Sequence, residues 1–225
     1  MWCIPDVTPE FIKRMEHILE LYEKPYTPEE PIICIDEKSK QLLKDSRKEK
    51  PTEKGKAKRK DYEYERNGTR NIFVAVQPKE GFRKIQVTKK RKKPDFAKFI
   101  RSLVKLKQYR DTKKIHIVLD NLNTHFEKSF YETFSQKEAE DILEKIEFHY
   151  TPKHASWLNM AEIEIGIMER QCTKGRMGTE EKLRKHLHAW KKRRNAQKEK
   201  IQWRFTRQDA RKKFKYALYE PAKLS

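Results

Sequence analysis

The chain has 225 residues, and 54 Lys and Arg against 34 Asp and Glu leave a formal charge of +20 at neutral pH, which points to a polyanionic partner. Charged residues make up 39%, yet 36% hydrophobic and 11% aromatic content still supports a packed core, so a wholly disordered polycation is excluded. No apolar run approaches the ~18 residues of a membrane span, the first twenty residues lack an export signal, and Cys3, Cys34 and Cys172 have neither zinc nor redox spacing. The expected address is therefore the cytoplasm, at the nucleoid, with no membrane partner.

Thr8, Pro9 and Glu10 signal a helix start, and Phe11, Met15, Ile18 and Tyr22 recur at helical spacing until prolines at 25, 28 and 31 end it. Residues 32–35 are a short apolar run of the kind that forms a buried strand, closing on Asp36. Residues 38–60 turn basic and lose apolar periodicity, which predicts a loop suited to phosphate contact. Asn67-Gly68 predicts a hairpin turn between a strand around Tyr62 and Tyr64 and another over 72–76. Gly81 predicts a second reversal, into a strand carrying Phe82, Ile85 and Val87.

Pro94-Asp95 opens a helix with an apolar stripe of Phe96, Phe99, Ile100, Leu103 and Leu106. A strand over 115–119 ends on Asp120-Asn121, residues 126–145 read as a helix, and a strand over 146–150 precedes a helix over 157–172. A basic helix follows from Glu180 to about Gln197, capped by Thr179 and striped by Leu183, Leu187 and Trp190. Trp203 and Phe205 read as extended, and Thr206 with Asp209 starts a last short helix. This order predicts an α/β fold, a mixed sheet flanked by helices. It divides into a leading helix and linker (1–31), a core (32–172) and a basic helical appendage (173–225).

Asp36 and Asp120 each follow an apolar strand, at the end where open sheets present their chemistry, and Glu162 follows on a helix after a proline-marked turn. Clustered carboxylates repel a phosphate unless cations intervene. Two divalent ions ~3.5–4 Å apart would resolve that conflict, and oxygen ligation favours Mg2+ or Mn2+. Any one of 34 acids at a strand end is more often a solvated terminator than a ligand, so the neighbouring residues must decide.

Three segments supply that context: Ile35-Asp36-Glu37-Lys38-Ser39, Leu119-Asp120-Asn121-Leu122-Asn123-Thr124-His125, and residues 150–162, which run from Tyr150-Thr151-Pro152 to Asn159-Met160-Ala161-Glu162. Together with residues 62–69 and 203–211 they resemble the DDE transposases of the Tc/mariner-like superfamily, in particular the insertion-sequence family called IS six-thirty. The resemblance implies a ribonuclease-H-like, retroviral-integrase-like core with Asp36, Asp120 and Glu162 as catalytic acids holding a pair of Mg2+ or Mn2+ ions. It also implies cleavage at element ends, transfer of the freed hydroxyl into TA-containing target DNA, and a homodimer on DNA.

Glu164 rivals Glu162 for the third role, but it lies about 200° around the helix, so both cannot face one metal pair. Between Asp120 and Glu162 lie 41 residues, more than is typical of the superfamily, which suggests an insertion. Only 35 residues precede Asp36, too few for the helix-turn-helix elements such proteins place ahead of the core. A separate helix-turn-helix protein or reading frame, or a truncated element, is the expectation.

Basic clusters at 44–60, at 89–93 and at Lys191, Lys192, Arg193 and Arg194 are candidate DNA-backbone contacts, as are Lys153 and His154 beside the acids. Asn121 and His125 either position Asp120 or the DNA strand, or cap the next helix. Two rival readings are a ribonuclease-H-like nuclease without strand transfer and a non-catalytic basic nucleic-acid-binding protein from a decayed element.

Overall fold

Thr8 Oγ1 accepts the Phe11 amide at 3.1 Å and opens helix α1 (Pro9–Glu23), which buries Phe11, Met15, Ile18 and Tyr22 as their spacing predicts. The structure, a computed structural model, describes residues 6–47 and 62–216. Five strands follow in one sheet: β1 (Ile32–Asp45), β2 (Tyr64–Gln77), β3 (Phe82–Thr88), β4 (Ile115–Leu119) and β5 (Ile146–Tyr150), in spatial order β3-β2-β1-β4-β5. The first three are antiparallel, and β4 and β5 run parallel to β1. The expected mixed sheet is therefore present.

Two local expectations are corrected. Asp36 does not end its strand, because β1 continues through residues 38–45, where charged side chains alternate along a ribbon paired only with β2. The predicted basic loop is thus strand up to Asp45, and its portion over 48–61 lies outside the described residues. Asn67-Gly68 is not a hairpin turn either. Between the pairs Gln41↔Thr69 and Leu43↔Arg66, β2 holds one residue more than β1, and Gly68 adopts φ +80°. The same dipeptide that suits a turn here supplies the left-handed residue of a β-bulge. The reversal at Gly81 is as expected, with φ +73°, and a side chain there would collide with the Lys198 carbonyl.

Helix α2 (Lys93–Val104) buries Phe96, Phe99, Ile100 and Leu103 against Ile33, Ile35, Phe73, Ala75, Ile117 and Leu119 on one sheet face. Residues 126–145, expected as one helix, divide into α3 (Lys128–Tyr131) and α4 (Gln136–Glu144) because Ser135 turns extended and caps α4. The opposite face carries α1 over Cys34, Val76 and Val118. Helix α5 (Met160–Met168) follows a 3-10 turn on that face, and it runs into a π turn over Glu169–Thr173.

Helix α6 (Glu180–Ala196) is the expected basic C-terminal helix, and it packs on the sheet. Leu183, Leu187 and Trp190 share a core with Leu42, Ile72, Val74 and Val87 of the sheet and with Met168. Helix α7 (Arg207–Phe214), with the expected Thr206–Asp209 capping box, docks on α1 through Arg211–Glu16 (3.0 Å) and Arg207–Glu23 (2.8 Å). Among the described residues no helix is long and apolar enough to cross a membrane.

Candidate active site

Parallel pairing sets the first two acids side by side. The register Ile32↔His116, Ile33↔Ile117, Cys34↔Val118, carried on by two residues, brings Asp36 of β1 next to Asp120, the residue after β4. The third acid arrives from α5. Asn159 donates its side-chain amide to the Ile35 carbonyl at 2.8 Å and accepts the Ala161 amide at 3.1 Å, so the cap that starts α5 is anchored to the strand one residue before Asp36. Glu162 stands in the first turn of that helix, exposed.

The charges act on one another. Burial, then the Glu162 carboxylate, pushes the Asp36 carboxyl up to about 7; the Glu37 amide, which donates to Asp36 at 2.7 Å, opposes the shift, and Asp120 and Glu37 add to it. A carboxyl raised by burial and by two facing carboxylates is a site short of positive charge. Oxygen donors and that deficit fit a hard divalent cation.

Asp120 has a different environment. Burial raises its pKa, but the hydrogen bond and charge of His125, the Leu122 amide and Arg91 overcome this and hold it below the ordinary value. His125 is fully buried, with Nδ1 2.7 Å from Asp120 Oδ1 and Nε2 2.8 Å from Glu37 Oε1. Burial lowers the His125 pKa, but its two carboxylate partners lift it to about 9, so the ring is an imidazolium donating from both nitrogens at neutral pH. Its ring also lies on Phe96, with centroids 4.5 Å apart. His125 therefore orients Asp120 rather than capping a helix. Asn121 braces the neighbourhood, accepting from Arg14 at 2.8 Å and donating to the Thr151 carbonyl at 2.6 Å.

Glu37 is the functional neighbour that sequence reasoning did not single out. It follows Asp36 directly, and alternation along a strand sends it to the opposite face, where only a partner from residue 125 reveals its use. Glu164 is removed as a rival of Glu162. It is 0% exposed and accepts from Arg83 Nε at 2.7 Å and Arg194 Nε at 3.0 Å. This ion triad also corrects the expectation for Arg194, which is 7% exposed and committed to Glu164 instead of being presented to DNA.

Lys191 is half-buried, and Lys192 and Arg193 are exposed on α6. Lys84 of β3 lies near enough to Lys191 that burial and then that like charge lower its pKa. Lys153 and His154 are exposed in the turn after β5, His154 at φ +60°, and share a cleft with Thr8, Phe11 and Arg14 of the α1 start.

A family model described as DDE superfamily endonuclease matches residues 31–184. Among solved structures, the Mos1 transposase paired-end complex with left transposon end is similar at TM-score 0.56 and 14% identity, over 84% of this chain and 57% of that one. The Mos1 mariner paired-end complex with Mn gives TM-score 0.56 at 13% identity, over 88% of this chain and 60% of that chain. The Mos1 strand transfer complex gives 0.53 at 13%, over 90% and 66%. The likeness is one of fold, a ribonuclease-H-like core, and the chain spans less than two thirds of the length of those proteins. No curated protein sequence matches the chain.

Proposed function

The chain belongs to the DDE superfamily endonucleases, and on that premise we propose that Asp36, Asp120 and Glu162 form the catalytic centre of a DNA transposase that cleaves and transfers strands of an insertion sequence. The observation that carries this reading is the juxtaposition of Asp36 and Asp120 by the β1–β4 register, with the Glu162 charge acting on Asp36. The solved relatives include complexes with transposon ends, with Mn and with Mg, and one strand transfer complex, which supports DNA as the substrate here.

Asp36, Asp120 and Glu162 would hold Mg2+ or Mn2+, as a pair of ions, which when bound makes an attacking water or terminal hydroxyl more acidic and neutralises charge on the leaving oxygen. The chain's own groups set this up. His125 keeps Asp120 ionised and fixes its carboxyl by donating a hydrogen bond, while Glu37 holds the far side of the same ring. Asn159 fixes the start of α5 against β1 and so sets where Glu162 stands. The exposed Lys153 and His154 in the turn after β5, and Lys191, Lys192 and Arg193 on α6, would take phosphates of the bound strands. The partners in this reading are element ends and TA-containing target DNA at the nucleoid, a second copy of the chain, and a helix-turn-helix module supplied separately.

The test is incubation of the full chain with labelled duplex DNA and Mg2+ or Mn2+. Cleaved strands together with joined products are expected; cleavage without joined product would favour a ribonuclease-H-like nuclease. Asp120→Asn should remove cleavage and leave DNA affinity unchanged, and retained cleavage by that variant would overturn the assignment.

A further inference from the structure

A row of histidines that the carboxylate site does not use lies where β4, β5 and α1 meet. The register pairs His116 with Glu147 and Val118 with His149. His116 precedes Asp120 by four residues of strand, or about 13 Å, so this group is separate from the acids. His149 is 4% exposed, His116 half-buried, and Glu147 exposed.

One donor atom from each of His116, Glu147 and His149 lies within 4.8 Å of the other two. His116 Nδ1 is 2.9 Å from His149 Nε2, Glu147 Oε2 is 3.5 Å from His116 Nδ1, and Glu147 Oε1 is 3.8 Å from His149 Nε2. A tetrahedral ion with ligands at about 2.0–2.1 Å separates adjacent donors by about 3.3 Å, close to the 2.9 Å between the two imidazole nitrogens and the 3.5 Å from His116 to Glu147 Oε2. The other nitrogen of the central ring, His149 Nδ1, lies 2.8 Å from Nε2 of His17 on α1. A metal-bound imidazole characteristically has its second nitrogen held in this way.

We propose that His116, Glu147 and His149 form a binding site for one Zn2+-class ion, with His17 as the group that positions the His149 ring. Two imidazoles and one carboxylate favour zinc and its late first-row neighbours over Mg2+. On binding, the ion replaces the proton shared by His116 Nδ1 and His149 Nε2. His116 moves that proton to its own Nε2, His149 keeps Nδ1–H as donor to His17, and no net proton is released. The fourth position opens to solvent on the Glu147 side. The ion would fasten β5, the edge strand, to β4 and, through His17, to α1.

The test uses the untagged full chain in excess Mg2+, titrated with Co2+ as a visible probe and then with Zn2+. One Co2+ with intense tetrahedral absorption, displaced by Zn2+, is expected, with a rise in Tm on Zn2+ addition. Glu147→Gln and His116→Asn should abolish the band; Glu147 is exposed, and an unchanged circular dichroism spectrum separates ligand loss from misfolding. His17→Ala should keep the band and weaken binding about 10–100-fold. Asp120→Asn should leave Co2+ affinity as it was. Absence of the band in the unmodified chain, or equal affinity in Glu147→Gln and His116→Asn, would reduce the group to a hydrogen-bonded histidine row and overturn the proposal.

Discussion

Asp36 gives the clearest consequence at the scale of single residues. Its pKa is raised from 3.8 to about 7, so the folded chain holds this proton more tightly than the unfolded one. The stability linked to it is fully present below the unfolded value and drains away as pH rises through about 7. His125, raised from 6.5 to about 9, acts in the same direction over the higher window. The metal-free chain should therefore lose stability from mildly acidic to mildly alkaline pH. Asp36→Asn removes the first contribution, so its Tm should exceed that of the unmodified chain by more at pH 8 than at pH 5, with Mg2+ narrowing the gap at pH 8. Thermal melts at both pH values check this, and a gap that did not widen with pH would contradict it.

At the scale of elements, the buried Glu164 group joins three of them. Arg83 of β3 and Arg194 of α6 both grip Glu164 of α5, and Asn195 accepts the Arg83 amide and donates to the Arg83 carbonyl, each at 2.9 Å. Removing the central carboxylate leaves two guanidinium groups buried without a counter-charge. Glu164→Ala should cost about 3–5 kcal/mol, read as a lowered denaturation midpoint. Glu162→Gln, two residues away but exposed, should cost little stability; equal losses in the two would undo the distinction between the structural Glu164 and the proposed catalytic Glu162.

The contrast between these glutamates also shows what was legible in the chain. Helical angle separated them, but not which of the two faced the acids, because Arg83 and Arg194 are remote in sequence. Elements with their own periodicity and caps, such as α1, β4, β5, α6 and α7, were readable from residues alone. The extension of β1 past Asp36 was not, because residues 38–45 pair with β2 and bury only Leu42 fully, against a helix remote in sequence. The Asn67-Gly68 bulge was misread because its local chemistry is that of a turn. Arg194 looked like part of a solvated charge run, since nothing local marks which of four basic residues turns inward.

At the scale of the molecule, a net charge of +20 is distributed on a core whose acids gather where β1, β4 and α5 meet. In the proposed reading, that positive charge would draw in the phosphate backbone, and the acid cleft is where the backbone would be cut. Binding to duplex DNA should weaken steeply with added salt, because each neutralised phosphate releases counterions. Replacing Lys192 and Arg193 by Glu should reduce the slope of log affinity against log salt by about one for each phosphate contact removed. A titration with no salt dependence would detach the charge from DNA binding.

The central claim is that Asp36, Asp120 and Glu162 converge to hold ions, and binding of Mn2+ followed by electron paramagnetic resonance tests it most directly, because Mn2+ prefers oxygen ligands. The account predicts that the full chain with DNA depletes the free Mn2+ signal by a pair of ions per chain, and that Asp36→Asn, Asp120→Asn and Glu162→Gln each reduce that uptake while Glu147→Gln does not. Undiminished Mn2+ uptake in all three acid variants would contradict it.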